Sequence, residues 1–84
     1  ELMQNYPNPF NPATTITFIL PEKSNVILKV FNSLGEEVAE LVNGNLDVGT
    51  YSQNFDASKL PSGIYVYTLQ TGDQLISKKM TLIK

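Results

Sequence analysis

The 84-residue sequence contains no cysteine, histidine, arginine or tryptophan. Without Cys or His there is no thiolate nucleophile, no imidazole base and no zinc site of the usual ligand types. Six lysines stand against eight acidic residues, for a net charge of −2, so the basic surface typical of nucleic-acid-binding proteins is missing. We therefore expect no metal or cofactor and no nucleic-acid partner.

Long apolar runs are also absent. No segment approaches the roughly 18 apolar residues of a membrane-spanning helix, and the N-terminus lacks the basic and apolar regions of a signal peptide. We expect no transmembrane segment, and we expect any export signal to have been removed or to belong to a parent chain. A domain of this size without disulfides or metal usually depends on neighbours, either a larger parent chain or copies of itself.

Acidic residues are too scattered to indicate a catalytic or calcium site. Glu36 and Glu37 form the only adjacent pair of carboxylates, and they diverge if their segment is a strand. Asp47, Asp56 and Asp73 fall in separate loops without the ligand spacing of a calcium-binding loop. The sequence therefore predicts a protein that is not an enzyme.

Tyrosines offer one alternative binding chemistry. Tyr51, Tyr65 and Tyr67 would form an aromatic platform for carbohydrate if they shared an exposed face. Tyrosines in strands more often fill or rim a core, because the ring is apolar and only the hydroxyl needs a polar partner. We favour this second interpretation.

The strongest local pattern is a hairpin over Ser62–Lys84. Two runs of β-branched, aromatic and aliphatic residues flank Gly72-Asp73, and such a pair between alternating runs predicts a two-residue turn. The first arm carries large side chains on both faces, as expected for a strand inside a packed sheet. On the second arm one face is predicted to contain Ile76, Lys78, Met80 and Leu82.

The first 13 residues differ from the rest in composition. Three prolines interleave with asparagines, and each proline excludes the helical conformation of the residue before it. We predict that residues 1–13 form an ordered, extended arm, with Phe10 packed on the domain edge. Residues 14–84 are predicted to form a single domain.

Alternation of apolar and polar residues predicts further strands over residues 14–20, 26–31 and 50–56. Residues 43–49 are predicted to be a loop. Residues 56–63 are predicted to be a crossing loop in which Leu60 is buried and Gly63 takes a backbone conformation closed to other residues.

Residues 36–42 are ambiguous. Ser33 and Glu36 have the spacing of a helix capping box, and Val38, Leu41 and Val42 have helical spacing. The same segment also alternates as a strand would, and it is short for a helix. We favour a strand here. Strands at intervals of eight to twelve residues, with turn signals between them, then predict an all-β chain, an antiparallel β-sandwich of six or seven strands.

Six stretches of the chain carry a family resemblance: residues 5–16 (NYPNPFNPATTI), 30–38 (VFNSLGEEV), 49–51 (GTY), 55–58 (FDAS), 62–65 (SGIY) and 78–84 (KKMTLIK). In this order they resemble the type A C-terminal sorting domains of the type IX secretion system, and they are also similar to the immunoglobulin-like domain of flagellar hook-capping proteins. The resemblance covers nearly the whole chain and implies an immunoglobulin-like sandwich.

The resemblance implies a sorting and surface-anchoring module at the C-terminus of a larger secreted protein. Its implied partners are the outer-membrane translocon and a sortase-like peptidase, reached after passage through the periplasm of a Gram-negative bacterium, and its implied location is the cell surface or the medium. The family motifs assign recognition by the translocon to Pro9, Phe10, Pro12, Gly63, Tyr65, Lys78, Lys79 and Lys84.

A structural role is the alternative. In this hypothesis the chain is a subunit of an extracellular polymer that self-associates through exposed edge strands or through exchange of its arm.

Overall fold

The computed structural model describes all 84 residues and contains six strands and no helix. The strands are β1 (Ala13–Leu20), β2 (Ser24–Phe31), β3 (Glu37–Leu46), β4 (Gly49–Asp56), β5 (Gly63–Thr71) and β6 (Gln74–Leu82). The predicted all-β class is therefore confirmed. None of these elements is a helix that could span a membrane.

Two antiparallel sheets face each other in an immunoglobulin-like sandwich. One sheet pairs β1 with β4, and the other has the order β3-β2-β5-β6. Alternate residues of each strand point between the sheets, as the period-two patterns predict. The core consists of Leu2, Phe10, Ile16, Phe18, Leu20, Val26, Leu28, Val30, Phe55, Ala57, Tyr65, Tyr67, Leu69, Met80 and Leu82.

The ambiguous segment is the strand β3, and the helical alternative is wrong. In its pairing with β2 the register shifts twice, so that Leu41 and Val38 are each inserted between paired residues. Each such bulge adds one residue to the strand and changes the face that the next side chain occupies. Two bulges three residues apart place half-buried side chains at a spacing that imitates a helix.

The prediction of a loop over residues 43–49 is wrong for most of its length. The strand β3 continues to Leu46, and only Asp47 and Val48 separate it from β4. Asn and Gly have low strand propensity, but residues 43–46 pair with residues 24–27 of β2, and this ladder determines their conformation. The short connection carries the chain from the four-stranded sheet to the two-stranded one.

The hairpin of β5 and β6 has the predicted two-residue turn. Thr71 pairs with Gln74, and Gly72 has φ +60°. A glycine with positive φ at the first central position is the requirement of the type II′ turn, whose twist matches that of the flanking strands. On β6 the predicted inner face is confirmed, with Met80 and Leu82 buried.

The arm, residues 1–12, contacts both sheets. Its first half pairs antiparallel with β1 through the bridges Leu2 with Phe18 and Tyr6 with Thr15. Further on, Phe10 pairs in parallel with Leu82 of β6. Both Leu2 and Phe10 belong to the core, so the expectation that Phe10 packs on the domain is confirmed.

Candidate functional site

Six of the eight residues that the family motifs assign to recognition lie at one end of the sandwich. We call this region the Lys84 end, because β6 finishes there. It is built from the arm residues 7–12, the β2–β3 turn (32–36), the β4–β5 loop (57–62), the start of β5 (63–65) and residues 83–84. Its predicted residues are Pro9, Phe10, Pro12, Gly63, Tyr65 and Lys84.

Phe10 fastens the arm to the last residues of the chain. Its N–H donates to the Thr81 carbonyl at 2.9 Å, and its own carbonyl accepts from the Ile83 N–H at 2.9 Å. The Asn8 side chain extends this ladder by accepting from the Thr81 N–H at 3.0 Å. The Phe10 ring is 2% exposed and its centroid lies 6.3 Å from that of Phe55. The outer edge of β6 is therefore covered at the Lys84 end.

Pro9 and Pro12 lie on the surface of the same end. The Pro12 carbonyl accepts from the Ala57 N–H at 2.9 Å, which joins the arm to the β4–β5 loop. A proline has no N–H, so neither residue leaves a donor free on this exposed backbone. The two prolines present apolar rings held in fixed backbone positions.

Gly63 and Tyr65 shape the start of β5. Gly63 has φ +153°, a value that side-chain-bearing residues rarely adopt, so its predicted special conformation is confirmed. The buried Tyr65 donates its hydroxyl to the Pro61 carbonyl at 2.6 Å, four residues upstream. This bond resembles the tyrosine corner of immunoglobulin-like sandwiches. Leu60, predicted to be buried, is half-buried and packs against the core.

Lys84 closes the Lys84 end against the β4–β5 loop. Its Nζ donates to the Ser58 carbonyl at 2.7 Å, and its backbone N–H donates to the Ser62 Oγ at 3.1 Å. Both bonds lie at the surface, where water competes for the same groups. The lysine is therefore held in place while remaining accessible.

Lys78 and Lys79 lie nearer the middle of β6 and are not part of the Lys84 end. They point to opposite faces, as their adjacency in a strand predicts. Lys78 is half-buried on the inner face, and Lys79 is exposed on the outer face. The single ion pair of the molecule, Lys29 Nζ with Glu37 Oε1 at 3.0 Å, involves neither of them.

A buried polar cluster under the arm was missed by reasoning from the sequence. The Tyr67 hydroxyl accepts from the Asn5 N–H at 2.8 Å and donates to the Met3 carbonyl at 2.8 Å. The Asn5 side chain donates to Thr14 Oγ1 at 3.0 Å, and Thr14 donates to the Pro7 carbonyl at 2.8 Å. Burial raises the pKa of Tyr67, and the hydrogen bond from Asn5 opposes this shift.

The Lys84 end offers a surface for contact. Next to Gly63 and Tyr65, the β2–β3 turn and the β4–β5 loop enclose a shallow groove of about 210 Å³. The side chains that line this groove include no nucleophile hydrogen-bonded to an acidic or basic group.

The chain was also compared with known proteins. A family model described as Secretion system C-terminal sorting domain matches residues 4–84. Neither the curated proteins nor the solved structures gave a significant match. The family match includes residues 4–12 of the arm, both sheets and all eight residues that the motifs single out.

Proposed function

The chain belongs to the family of type IX secretion C-terminal sorting domains, and we propose that the translocon reads it through the Lys84 end of the folded sandwich. The chain is a sorting signal for type IX secretion, and it marks a secreted or cell-surface protein. We propose in addition which residues the translocon contacts, and that it recognises them only in the folded domain.

The observation that carries this proposal is the ladder between the arm and β6. The family motifs at residues 5–16 and at residues 78–84 lie far apart in the sequence, yet Phe10 hydrogen-bonds to Thr81 and Ile83. One surface of the folded chain thus presents both motifs. Recognition of a linear peptide sequence would not require the two motifs to lie side by side. Recognition of this surface depends on the fold.

We divide the eight motif residues by their exposure. Pro9, Pro12, Lys79 and Lys84 are exposed and are proposed to contact the translocon. Phe10 and Tyr65 are buried, and they support that surface from below. Gly63 permits the backbone path into β5, and Lys78 is half-buried on the inner face of β6.

The position of residue 1 leaves the Lys84 end free for contact with the translocon. The Ile19 N–H donates to the Glu1 carbonyl at 2.8 Å, near the end of β1 that is remote from the Lys84 end. Any polypeptide preceding Glu1 would therefore join the sandwich at the opposite end. The Lys84 end would stay accessible while a large cargo is attached.

The finer assignments of partner and route follow from the family. We propose that the module passes through the periplasm, engages the outer-membrane translocon, and is then cut off by a sortase-like peptidase or retained as an anchor. In this role its own chemistry is non-catalytic, and the peptidase supplies the bond cleavage.

An export assay separates recognition of a fold from recognition of a linear sequence. A reporter placed before residue 1 should reach the surface of a host with a working type IX system. Leu82→Asp puts a carboxylate into a side-chain position that is 1% exposed, so it should unfold the domain and leave the reporter in the periplasm. Leu75→Asp is the matched control on the same strand, 67% exposed, and should be exported normally.

Three results would contradict the proposal. Normal export of an unfolded Leu82→Asp protein would mean that the linear sequence suffices. Failure of the intact chain to carry the reporter at all, or export that survives deletion of residues 78–84, would remove the sorting function of these residues.

A further inference from the structure

The outer face of the four-stranded sheet carries an ordered row of side chains across all four strands. Glu37 of β3 pairs with Phe31 of β2, Phe31 pairs with Val66 of β5, and Val66 pairs with Lys79 of β6. Residues paired across antiparallel strands share a face. The row therefore runs from an acidic edge, across two apolar residues, to a basic edge.

Apolar side chains continue this row toward the Lys84 end. Leu34 is 82% exposed and Ile64 is 51% exposed, and both line the groove of about 210 Å³ described above. Phe31 and Val66 are half-buried beside them. Contiguous exposed apolar residues rimmed by charges are typical of a protein-binding surface.

The charges on the two rims have opposite sign. Glu36, Glu37 and Glu40 lie in or beside β3, whereas Lys79 lies on β6 at the other edge of the same sheet. Lys29 of β2 lies on the face between the two rims, and its Nζ pairs with Glu37 Oε1 at 3.0 Å. We propose that this face pairs with the same face of a second copy of the chain, around a two-fold axis that runs parallel to the strands between β2 and β5.

This axis makes the face complementary to itself. A half-turn about it places β3 of one copy over β6 of the other, and β2 over β5. Phe31 then meets Val66 of the second copy, and Glu37 meets Lys79 of the second copy, with every contact made twice. The Glu37 carboxylate is thus shared in the dimer between Lys29 of its own chain and Lys79 of the second copy. A two-fold axis perpendicular to the strands would instead place β3 over β3, with carboxylates facing carboxylates, which is repulsive.

The size of the face predicts a weak dimer. Four strands spaced about 4.8 Å apart, over about six residues each, cover about 400 Å² per copy. A stable interface buries about 800 Å² per partner, so this contact belongs to the transient class. Because the rim contacts are between exposed charges, we expect salt to weaken the association.

Charge reversal provides the decisive experiment. Sedimentation velocity of the chain, from micromolar to millimolar concentration at low salt, should show a reversible dimer. Lys79→Glu and Glu37→Lys should each weaken it by at least about tenfold, because each leaves two like-charge contacts. An equimolar mixture of the two variants should restore it, since every rim contact then joins a carboxylate to an ammonium.

Matched controls distinguish this from a general effect of charge. Lys23→Glu and Glu22→Lys make the same charge changes in the β1–β2 turn, away from the face, and each should dimerise as the parent does. Thermal melts of all four variants should confirm that they are folded. A parent chain that remains monomeric at millimolar concentration would overturn the proposal. So would a dimer that persists in both charge-reversed variants, since another surface would then be responsible.

Discussion

At the scale of single residues, two glycines provide a test of backbone conformation without a change in packing. An added Cβ would meet no atom within 4 Å at either Gly63 or Gly44, but only Gly63 has a positive φ, +153°. Gly63→Val should therefore lower the free energy of unfolding by more than about 1.5 kcal/mol. Gly44→Val, in the edge strand β3, should change it by less than about 0.5 kcal/mol.

Urea unfolding of both variants checks this prediction. Equal effects of the two substitutions would mean that the φ angle of Gly63 is not the reason for its glycine.

Tyr67 is the second residue with a defined energetic role. Tyr67→Phe keeps the ring in the core but leaves the Asn5 N–H and the Met3 carbonyl without their partner. Leaving the buried Asn5 N–H unpaired should cost about 1–3 kcal/mol of unfolding free energy. Tyr51→Phe, which removes one exposed hydrogen bond to the Asp47 carbonyl, is the control and should cost less than about 1 kcal/mol.

Hydrogen exchange localises the same effect. In Tyr67→Phe the amides of the arm should exchange faster while those of β2 remain protected, because the lost bonds join the arm to β5. Uniformly faster exchange over the whole sandwich would contradict a role confined to the arm.

Tyr67 also predicts a dependence of stability on pH. Burial raises its folded-state pKa above the ordinary value of 10.0, so the unfolded chain releases this proton first. The contribution is fully present below the unfolded pKa and is lost as the pH rises through the folded pKa. The stability advantage of the native chain over Tyr67→Phe should therefore be constant below the unfolded pKa and shrink as the pH rises above about 10.

All other ionisable groups are the same in the two proteins, so only the difference between the two chains is informative. An advantage that stays constant with pH would mean that the Tyr67 hydroxyl ionises in the folded state as freely as in the unfolded one.

The residues that sequence reasoning missed are polar ones whose partners lie far along the chain. From the sequence, Asn5 resembles an ordinary loop residue in a proline-rich segment. No neighbouring residue in the sequence indicates that it is only 2% exposed. Its burial follows from Tyr67, 62 positions away, which accepts its N–H. Only the three-dimensional path of the arm brings the two together, so spacing in the sequence could not reveal the cluster.

At the scale of elements, the arm is part of the fold. Its two aromatic residues differ sharply, with Phe10 2% exposed and Tyr6 81% exposed. Phe10→Ala should lower the free energy of unfolding by about 3–5 kcal/mol, because it leaves a cavity between the arm, β6 and Phe55. Tyr6→Ala should lower it by less than about 1 kcal/mol.

Thermal or urea denaturation measures both changes. A small effect of Phe10→Ala would mean that the arm lies on a domain that is complete without it.

The strands themselves were largely predictable, and the exceptions have a common cause. Period-two alternation located β1, β2 and β4, and the Gly72 turn located the hairpin. Over residues 36–46 the bulges at Val38 and Leu41 broke the alternation, and Asn43 to Asn45 lacked strand propensity. There the partner strand β2 determines the conformation, and no local pattern reports which strand will be the partner.

At the scale of the whole molecule, the family motifs named the recognition residues but not their arrangement. Gly63, Tyr65 and Lys84 share the Lys84 end with the arm, whereas the two adjacent lysines of β6 lie on opposite faces nearer the middle of the strand. The motif spacing could not reveal that Phe10 and Tyr65 are buried, because their burial depends on how the arm and the β4–β5 loop close over the sandwich.

This arrangement leads to different expectations for the two adjacent lysines. Lys79→Gln removes an exposed charge and should reduce surface delivery of the reporter by at least about fivefold if the translocon is attracted to it. Lys78→Gln changes a half-buried inner-face charge and should have little effect on delivery. Lys23→Gln, in the β1–β2 turn at the opposite end, controls for the loss of one positive charge.

Glutamine keeps most of the stem length and the polarity, so all three melting curves should overlay that of the parent. Loss of delivery with Lys79→Gln alone, at unchanged stability, would locate recognition on the outer face of β6 beside the Lys84 end. Equal loss with Lys78→Gln and Lys79→Gln would contradict the division by exposure, since the translocon would then have to reach both faces of the strand. Normal delivery with both substitutions would leave the arm prolines and Lys84 as the proposed contacts and would remove the β6 lysine pair from the recognition surface.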